Sequence, residues 1–513
     1  MSEAIKQVRA YHELTKHRLS GYAPAPGFLD WDSQPNPFRT YEGVSKFDLP
    51  FGLKTQDFSS DWSLTNIGAF LELSMGLSAW KSIGPDRWAL RTNPSSGNLH
   101  PTECYVLNWS DDEGALSQGV FHYDVYGHRL EQRGSYIAPL VTSAFGAIGL
   151  STISWREEWK YGERAYRYCQ LDVGHAIGAI RYACALFGWK VTPIFDFCDD
   201  DLDQILGTGR TEDYGLVERE EPDILFVLSK EDVEASTPDL AALQLVNWQG
   251  KANQLSVERV AWPAIKRVKK AVIKETGPIK ELVDPASSLK WHGTKDHLVQ
   301  VIQKRRSAQR MDKEKSLLDR DDFFNILQRT RPCEMPFDAL NHQPTISLFL
   351  FVHHVDDLEP GLYFFERSPG HLKALQQKGT AVPNCEGLYK ISVPNDVRKI
   401  ASQLSCNQGI AGHGAFAVSM LADFTCLEIW GSWAYRLIHW EAGLIGQCLY
   451  LEAENIGLNG TGIGCFFDDE VHNVLGLVQT DGDWQVVYHF TLGVAKTDNR
   501  LESEPPFAHL SER

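Results

Sequence analysis

The ten cysteines of this 513-residue chain form no CxxC pair. Their scatter matches neither a zinc site nor a disulfide framework, so reduced thiols in a cytoplasm are the expectation. No apolar run reaches the roughly 18–20 residues that span a bilayer. The N-terminal stretch MSEAIKQVRAYHELTKHR is charged and has no apolar signal core. An excess of positive charge is missing too: 50 Lys and Arg stand against 67 Asp and Glu, a net charge of −17. That balance argues against a nucleic-acid protein and against docking on anionic membranes. No GxGxxG fingerprint or Walker lysine is found. What remains is a cytoplasmic globular protein with ample core, 43% hydrophobic and 11% aromatic.

The strongest positive signal is a long apolar stretch that occurs twice. AYRYCQLDVGHAIGAIRYACALFGWKVTPIFDFCDDDLDQILG starts at Ala165, and AYRLIHWEAGLIGQCLYLEAENIGLNGTGIGCFFDDEVHNVLG starts at Ala434. The two align without a gap at a constant offset of 269 over 43 residues. Tyr166/Tyr435, Arg167/Arg436, Gly174/Gly443, Gly188/Gly457, Asp199/Asp468, Asp200/Asp469 and Gly207/Gly476 are shared. The spacing is far above solenoid periods, so the chain reads as a tandem domain duplication.

The expected order is an N-terminal arm at 1–60, a first domain at 61–230, a linker at 231–295, a second domain at 296–500 and a tail at 501–513. Pro24, Pro26, Pro35 and Pro37 exclude a long helix between 23 and 38, and Phe28, Trp31 and Phe38 are expected to hold the arm down. Residues 62–84 read as a helix capped by Ser63 or Thr65. A strand is expected at Glu103–Leu107, a hairpin around Tyr126–Gly127, the first repeat helix at 163–187 and a buried strand at Pro222–Ser229. AIKRVKKAVIKE, inside the linker, reads as a solvated helical face. In the second half, GLYFFERSPGHLKAL echoes GVFHYDVYGHRLEQ, and QVVYHFTLGVAK echoes PDILFVLSK. The plan is α+β, with two like domains related by an approximate two-fold.

Four motifs carry chemistry. Arg305, Arg306 and Ser307, with Arg310 one turn on, can hold a phosphate through charge-assisted bonds; alone they could equally be solvated surface. Pro94, Ser95, Ser96, Gly97 and Asn98 let backbone approach a flat ring and offer polar edges, or form an ordinary capped turn. Gly460, Gly462 and Gly464 can present backbone N–H groups to a planar ligand, or simply pack; the first-half equivalent KVTPIF has none of these glycines. Lys160 and Tyr161 can move protons if their pKa values are tuned; at the same offset the second half has Ile429 and Trp430, which cannot.

RRSAQR, NPSSGNLHP, WKYGERAYRY and YRLIHWEAGLIGQ…GLNGTGIG together resemble the flavin-dependent nitroreductase superfamily, in its branch of SagB/ThcOx-type dehydrogenases that includes azoline oxidases. The resemblance spans most of both halves and is weakest in 1–60 and 230–295. It implies two nitroreductase-like α/β/α domains forming an intramolecular pseudo-dimer, with FMN between them. By that resemblance Arg305, Arg306, Ser307 and Arg310 take the phosphate and ribityl, assisted by Lys496 and Arg500. Gly462 and Ile463 present backbone to the ring. Pro94, Ser95, Ser96 and Asn98 come from the other half, as do Lys160 and Tyr161, which match the Lys-Tyr pair of azoline oxidases.

The implied activity is an FMN-dependent oxidoreductase passing a hydride through flavin N5, acting as a dehydrogenase on a peptide or small organic substrate. The alternatives are an NAD(P)H-dependent nitro- or quinone reductase and a non-catalytic flavin-binding scaffold. No metal is expected. Further association of the pseudo-dimer is left open. The mirror site looks depleted: Thr15–Arg18 stand for Arg-Arg-Ser, and MPFDALNHQP stands for the Pro-Ser-Ser-Gly-Asn turn. One FMN per chain is the expectation.

Overall fold

The two copies of the apolar stretch become two buried helices, Ala165–Phe187 and Ala434–Asn455. They pack on each other through small residues. A Cβ added to Gly174 would stand 2.8 Å from the Cα of Gly443, and one on Gly443 would stand 2.8 Å from the Cα of Gly174. Gly178 faces Gln447 in the same way, its added Cβ 2.8 Å from that side chain. Only hydrogen side chains allow backbones this close. The crossing point is thus at the same aligned position of both copies, which puts the pseudo-two-fold axis between Gly174 and Gly443.

This computed structural model describes residues 1–51, 53, 58–110, 116–234, 236–275, 290–368, 378–477 and 483–510. Parts of the linker, of the GLYFFERSPGHLKAL echo and of the tail (235, 276–289, 369–377 and 511–513) lie outside the described residues.

Each half builds an antiparallel sheet beside its helix, in matching order. In the first, Thr102–Asn108 lies between Gly119–Asp124 and Gly146–Thr152. Arg129–Tyr136 extends one side, and Glu221–Lys230 and then Trp189–Ile194 extend the other. In the second, Ile346–Val352 lies between Gly361–Phe365 and Phe416–Asp423. Leu388–Ser392 extends one side, and Trp484–Gly493 and then Asn459–Ile463 extend the other. In both halves the strand that follows the long helix ends up at the sheet edge. Among the described residues no helix is long and apolar enough to cross a membrane.

Both termini cross over. The N-terminal helix Glu3–Leu14, capped by Ser2, leads to Lys16 and His17, which bind second-half carboxylates: Lys16 Nζ to Asp469 at 2.7 Å and His17 N–H to Asp468 at 2.9 Å. At the other end Glu502–Glu504 pairs with first-half strand Leu77–Ile83. Buried ion pairs repeat across the axis: Arg167 to Asp468 at 2.9 Å, and Arg436 to Asp199 at 2.7 Å. These are aligned residues of the two copies exchanging partners.

Four local expectations need correction. The helix over 62–84 stops early: Ser63 caps Leu64–Ser74, and Leu77–Ile83 with Asp86–Arg91 is a hairpin. Gly76 breaks the helix, since any side chain there would collide with the backbone of Glu72. The arm is not held by all three aromatics: Phe28 is 81% exposed, whereas Trp31 meets Trp159 edge-on and Phe38 packs on Tyr126. Much of the stretch read as linker is bound in. Leu245–Val246 extends the first sheet, Lys251–Ala252 pairs with Tyr41–Glu42, and Pro263–Ala271 buries Ala264, Ile265, Val268 and Ala271 while Lys266, Arg267 and Lys270 stay solvated. Finally, two of the scattered cysteines meet. Cys406 and Cys465 form a disulfide with Cα atoms 5.8 Å apart, and the other eight are free. Their separation of 59 residues gives no spacing signal.

If the glycine crossing sets the distance between the halves, Gly174→Ala should cost about 3 kcal/mol of unfolding free energy by overpacking. Gly27→Ala, at a position with open space around it, should cost almost nothing. Urea denaturation of the two variants beside the parent measures the difference.

Candidate active site at the junction of the two halves

The helix Trp155–Tyr161 ends just before the first long helix and carries Lys160 and Tyr161 at its last turn. The turn at 94–98 folds against it. A Cβ on Gly97 would stand 2.7 Å from Tyr161 Oη and 3.0 Å from Lys160 Nζ. Gly97, Asn98 and His100 all have positive φ, at 62°, 61° and 52°. Side-chain bonds hold that backbone: Asn98 donates to the Ala89 carbonyl at 2.8 Å and meets His100 Nε2 at 2.9 Å. The Ser95 hydroxyl accepts the His100 N–H at 2.8 Å.

Beneath the turn lie two buried carboxyls that sequence reasoning missed. Asp172 accepts the Ser96 N–H at 3.2 Å, and Glu157 accepts from the Ser95 hydroxyl at 3.4 Å. Burial pushes Asp172 up to about 7. Burial, and then the Asp172 charge, push Glu157 well above the usual carboxylate range. Burial likewise raises the Tyr161 phenol well above its ordinary value, with Glu157 adding to it. At neutral pH Tyr161 is therefore a neutral O–H donor. Glu157 was legible as an i−3 neighbour of Lys160 on one helix face. Asp172 was legible as an acid in an otherwise apolar repeat.

The second half supplies the opposite wall. Gly460–Gly464 is not a free loop; its first residues lie in the edge strand Asn459–Ile463. The glycines make room for tyrosines: an added Cβ would collide with Tyr488 at Gly462 and with first-half Tyr168 at Gly464. Tyr168 packs on Tyr161 with ring centroids 4.3 Å apart and planes tilted by 35°, which joins the Lys-Tyr pair to the glycine strand. The Gly462 N–H, expected to face a ligand, donates to Tyr450 Oη at 3.0 Å, and Tyr450 Oη is 2.8 Å from Ser307 Oγ. Ile463 is buried in the second-half core. His175 Nδ1 lies 3.3 Å from Gln447 Oε1 and its Nε2 lies 3.1 Å from Tyr488 Oη. Burial lowers His175 to about 3, so it is a neutral imidazole that accepts from Tyr488.

Ser307 bridges to Gly460, bringing the arginine segment alongside the glycine strand. The buried Arg305 guanidinium donates to the Arg91 and Thr92 carbonyls at 3.0 and 3.1 Å, just before the 94–98 turn. Its Nε is buried without a partner. Arg306 donates to the Ser78 carbonyl at 2.7 Å. Burial lowers Arg305, and burial with the Arg305 charge pushes Arg306 down to about 10. Among the described residues neither has a salt bridge, an unusual state for a cation as buried as Arg305; Arg306 is half-buried. Arg310, Lys496 and Arg500 are solvent-exposed. Lys496 N–H donates to the Arg310 carbonyl at 2.9 Å. Arg500 and Arg310 share Asp498, at 2.7 and 3.5 Å. The structure thus gathers Lys160, Tyr161, the 94–98 turn, Ser307 and Gly462 at one junction, with Arg305 and Arg306 beside it. The group of Arg310, Lys496 and Arg500 sits further out.

The mirror elements are engaged elsewhere. Lys16 to Arg18 lie against Asp468 and Asp469, not against the first-half edge strand. Asp338 of the MPFDALNHQP segment binds Arg181 at 2.8 and 3.0 Å. Among the described residues no cluster of side chains could hold a metal.

Asp172 supplies a pH test. Its carboxyl is raised in the folded state, so the folded chain binds the extra proton and loses stability as pH climbs from the unfolded value of about 4 towards about 7. Asp172→Asn should remove that loss. Relative to the parent, the variant should gain about 2 to 3 kcal/mol between about pH 5 and about pH 8. Denaturant midpoints at the two pH values measure it.

No family model matches the chain. Among curated proteins, the trifolitoxin-processing protein TfxB of Rhizobium leguminosarum bv. trifolii is 30% identical over 128 residues, covering 22% of this chain and 34% of that protein. A provisionally described nitroreductase of Methanocaldococcus jannaschii is 34% identical over 48 residues, covering 9% of this chain and 24% of that protein. The chain thus spans about a third and about a quarter of the lengths of these two relatives. A crystal structure from Anabaena variabilis, also provisionally described as a nitroreductase, superposes with a TM-score of 0.73 at 24% identity. It covers 96% of this chain and 99% of that one, so both halves and their arrangement are shared. The paired sheets, the crossed central helices and this end-to-end match show a nitroreductase fold, present as two domains in tandem within one chain.

Proposed function

We propose that the chain is an FMN-dependent oxidoreductase with one working site, built at the junction from both halves. The observation that supports it most is buried Arg305 with half-buried Arg306 next to it, neither in a salt bridge among the described residues, between the carbonyls that precede the 94–98 turn and the Gly460 strand. An anion such as the FMN phosphate would supply the missing negative charge, and Arg305 Nε is a free donor for it. Arg306, Ser307, Arg310, Lys496 and Arg500 would complete the phosphate and ribityl end. Pro94, Ser95, Ser96 and Asn98 would line the ring from the first half, and from the second the strand carrying Gly462 and Ile463 would bound it through Tyr450 and Tyr488, which hold the Gly462 N–H and the space beside it. When bound, FMN supplies two-electron redox chemistry by hydride transfer at its ring.

The chain's own residues would handle the proton and the substrate. Lys160 and Tyr161 converge on Gly97 and can take or give a proton beside the ring. The raised pKa of Tyr161 favours donation. A dehydrogenase needs a group that accepts a proton as hydride leaves, a role a neutral Tyr161 cannot fill and that would fall to Lys160; a simple reductase needs no such base. The N-terminal arm crosses this helix, with the Glu163 N–H donating to the Pro24 carbonyl and Trp159 Nε1 to the Asp30 carbonyl, both at 3.0 Å. It carries exposed Tyr22, Phe28 and Trp31. Those aromatics, and the relative that processes trifolitoxin, favour a peptide or other bulky organic substrate. The eight free cysteines favour a cytoplasmic location, and the Cys406–Cys465 disulfide counts against it.

Purified protein should show flavin absorption bands and one FMN per chain. Arg306→Ala with Arg310→Ala should weaken FMN binding on the order of a hundredfold. Lys160→Met with Tyr161→Phe should keep the flavin and lower turnover on the order of a hundredfold or more. Protein that is colourless and takes up no added FMN would overturn the proposal. Unchanged turnover would remove the Lys-Tyr pair from the chemistry, and bleaching by NADH or NADPH would favour a reductase.

A further inference from the structure

The pseudo-two-fold axis maps the junction site onto a second place, along first-half edge strand Trp189–Ile194. A cavity of about 620 Å³ lies there, within the usual range for small-molecule sites. Its parts correspond to those of the junction site but have been exchanged. Arg181 stands where Tyr450 stands, and Pro193 stands where Gly462 stands. Asp338 and Asn341 enter from the segment that corresponds to the 94–98 turn. Pro193 has no N–H, and Ile429 and Trp430 replace the Lys-Tyr pair. The cavity lacks the features that would make a redox site.

Its charge is unusual for this chain. Arg181 is neutralised by Asp338, with two bonds at 2.8 and 3.0 Å. That leaves Lys190, Lys290 and Lys295 against one carboxylate, Glu231, in a protein of net charge −17. Lys295 donates to the Phe58 carbonyl at 3.2 Å. Among the described residues the side chains of Lys190 and Lys290 have no hydrogen-bond or ion-pair partner. Trp291 lines the same cavity, and its Nε1 is buried with no acceptor among the described residues. An unsatisfied buried donor costs about 1–3 kcal/mol, which a ligand acceptor would recover.

We infer that this cavity is a second binding site, for a small planar organic anion. The ring would lie against the Trp291 indole, and the anionic group would meet Lys190 and Lys290. No redox step occurs there. The inference rests on the pseudo-symmetry and the cavity, and it stands whether or not the junction takes FMN.

Anilinonaphthalene sulfonate, a planar anion, is the probe, titrated by fluorescence into the full chain with and without added FMN. One saturable site is expected in both. Lys190→Glu with Lys290→Glu, both at exposed positions, should weaken it at least about tenfold, while Lys6→Glu with Lys399→Glu should not. Uncharged phenylnaphthylamine should bind at least about tenfold more weakly than the sulfonate. Thermal unfolding of each variant checks that the fold is kept. The inference is overturned by absence of saturable binding, by affinity unchanged in the charge-reversed variant, by equal binding of the uncharged probe, or by FMN displacing the probe at two per chain.

Discussion

The close approach of Gly174 and Gly443 sets everything else in this structure. Two long helices lie nearly in backbone contact at one aligned position of a duplicated sequence. No side chain fits between them, so the distance and angle between the halves are fixed by backbone rather than by deformable side chains. Every element that meets its counterpart from the other half inherits that geometry. The exchanged ion pairs Arg167–Asp468 and Arg436–Asp199 are satisfied in both copies because the axis puts each acid beside the other copy's arginine. Those pairs are buried, and losing one partner would leave a desolvated charge. They therefore reinforce the same arrangement that the glycines permit.

Around that fixed axis the two copies have separated by task. Residues that build the interface are the same in both: Tyr166/Tyr435, Arg167/Arg436, Gly174/Gly443 and Asp199/Asp468. Residues that face the two related sites differ. Tyr168 aligns with Leu437, His175 with Leu444, Tyr450 with Arg181, and Gly462 with Pro193. One side gathers tyrosines, a neutral imidazole and an arginine pair that has no salt bridge among the described residues. The other holds a neutralised Arg181 and free lysines. The difference is one of chemistry, since the backbone order of the two sheets is the same.

The long helices and a few strands, such as Thr102–Asn108 and Glu221–Lys230, were legible because their signals are local and periodic. Ser63 as a helix cap, the glycine contacts of the repeat and the hairpin at Tyr126–Gly127 all follow from short stretches of chain. The errors share a cause. Leu77–Ile83 has apolar residues that suit a helix, yet it pairs with Asp86–Arg91 as a hairpin and takes a third strand from Glu502–Glu504, more than 400 residues away. The Cys406–Cys465 disulfide joins segments that only the fold brings together. The glycine strand looked like a loop offering N–H groups, because nothing local shows that Tyr450, Tyr488 and Tyr168 occupy the space beside it. Glu157 and Asp172 are the instructive omissions. Each stood at a readable position, and what could not be read was their shared burial beneath one turn.

A covalent tandem explains why such asymmetry can exist. In a homodimer of identical chains, each substitution appears at both symmetry-related sites, so a change useful at one is forced on the other. Here Pro193 can replace a glycine on one side while Gly462 persists on the other. The crossed termini keep the halves together during that divergence. The first-half arm is anchored on Asp468 and Asp469, and the second-half tail adds a strand to the first-half hairpin. Each half is thus partly covered by chain from the other. Stability tied to the axis and to these crossings leaves the junction residues free to change, and the differences between the copies concentrate there.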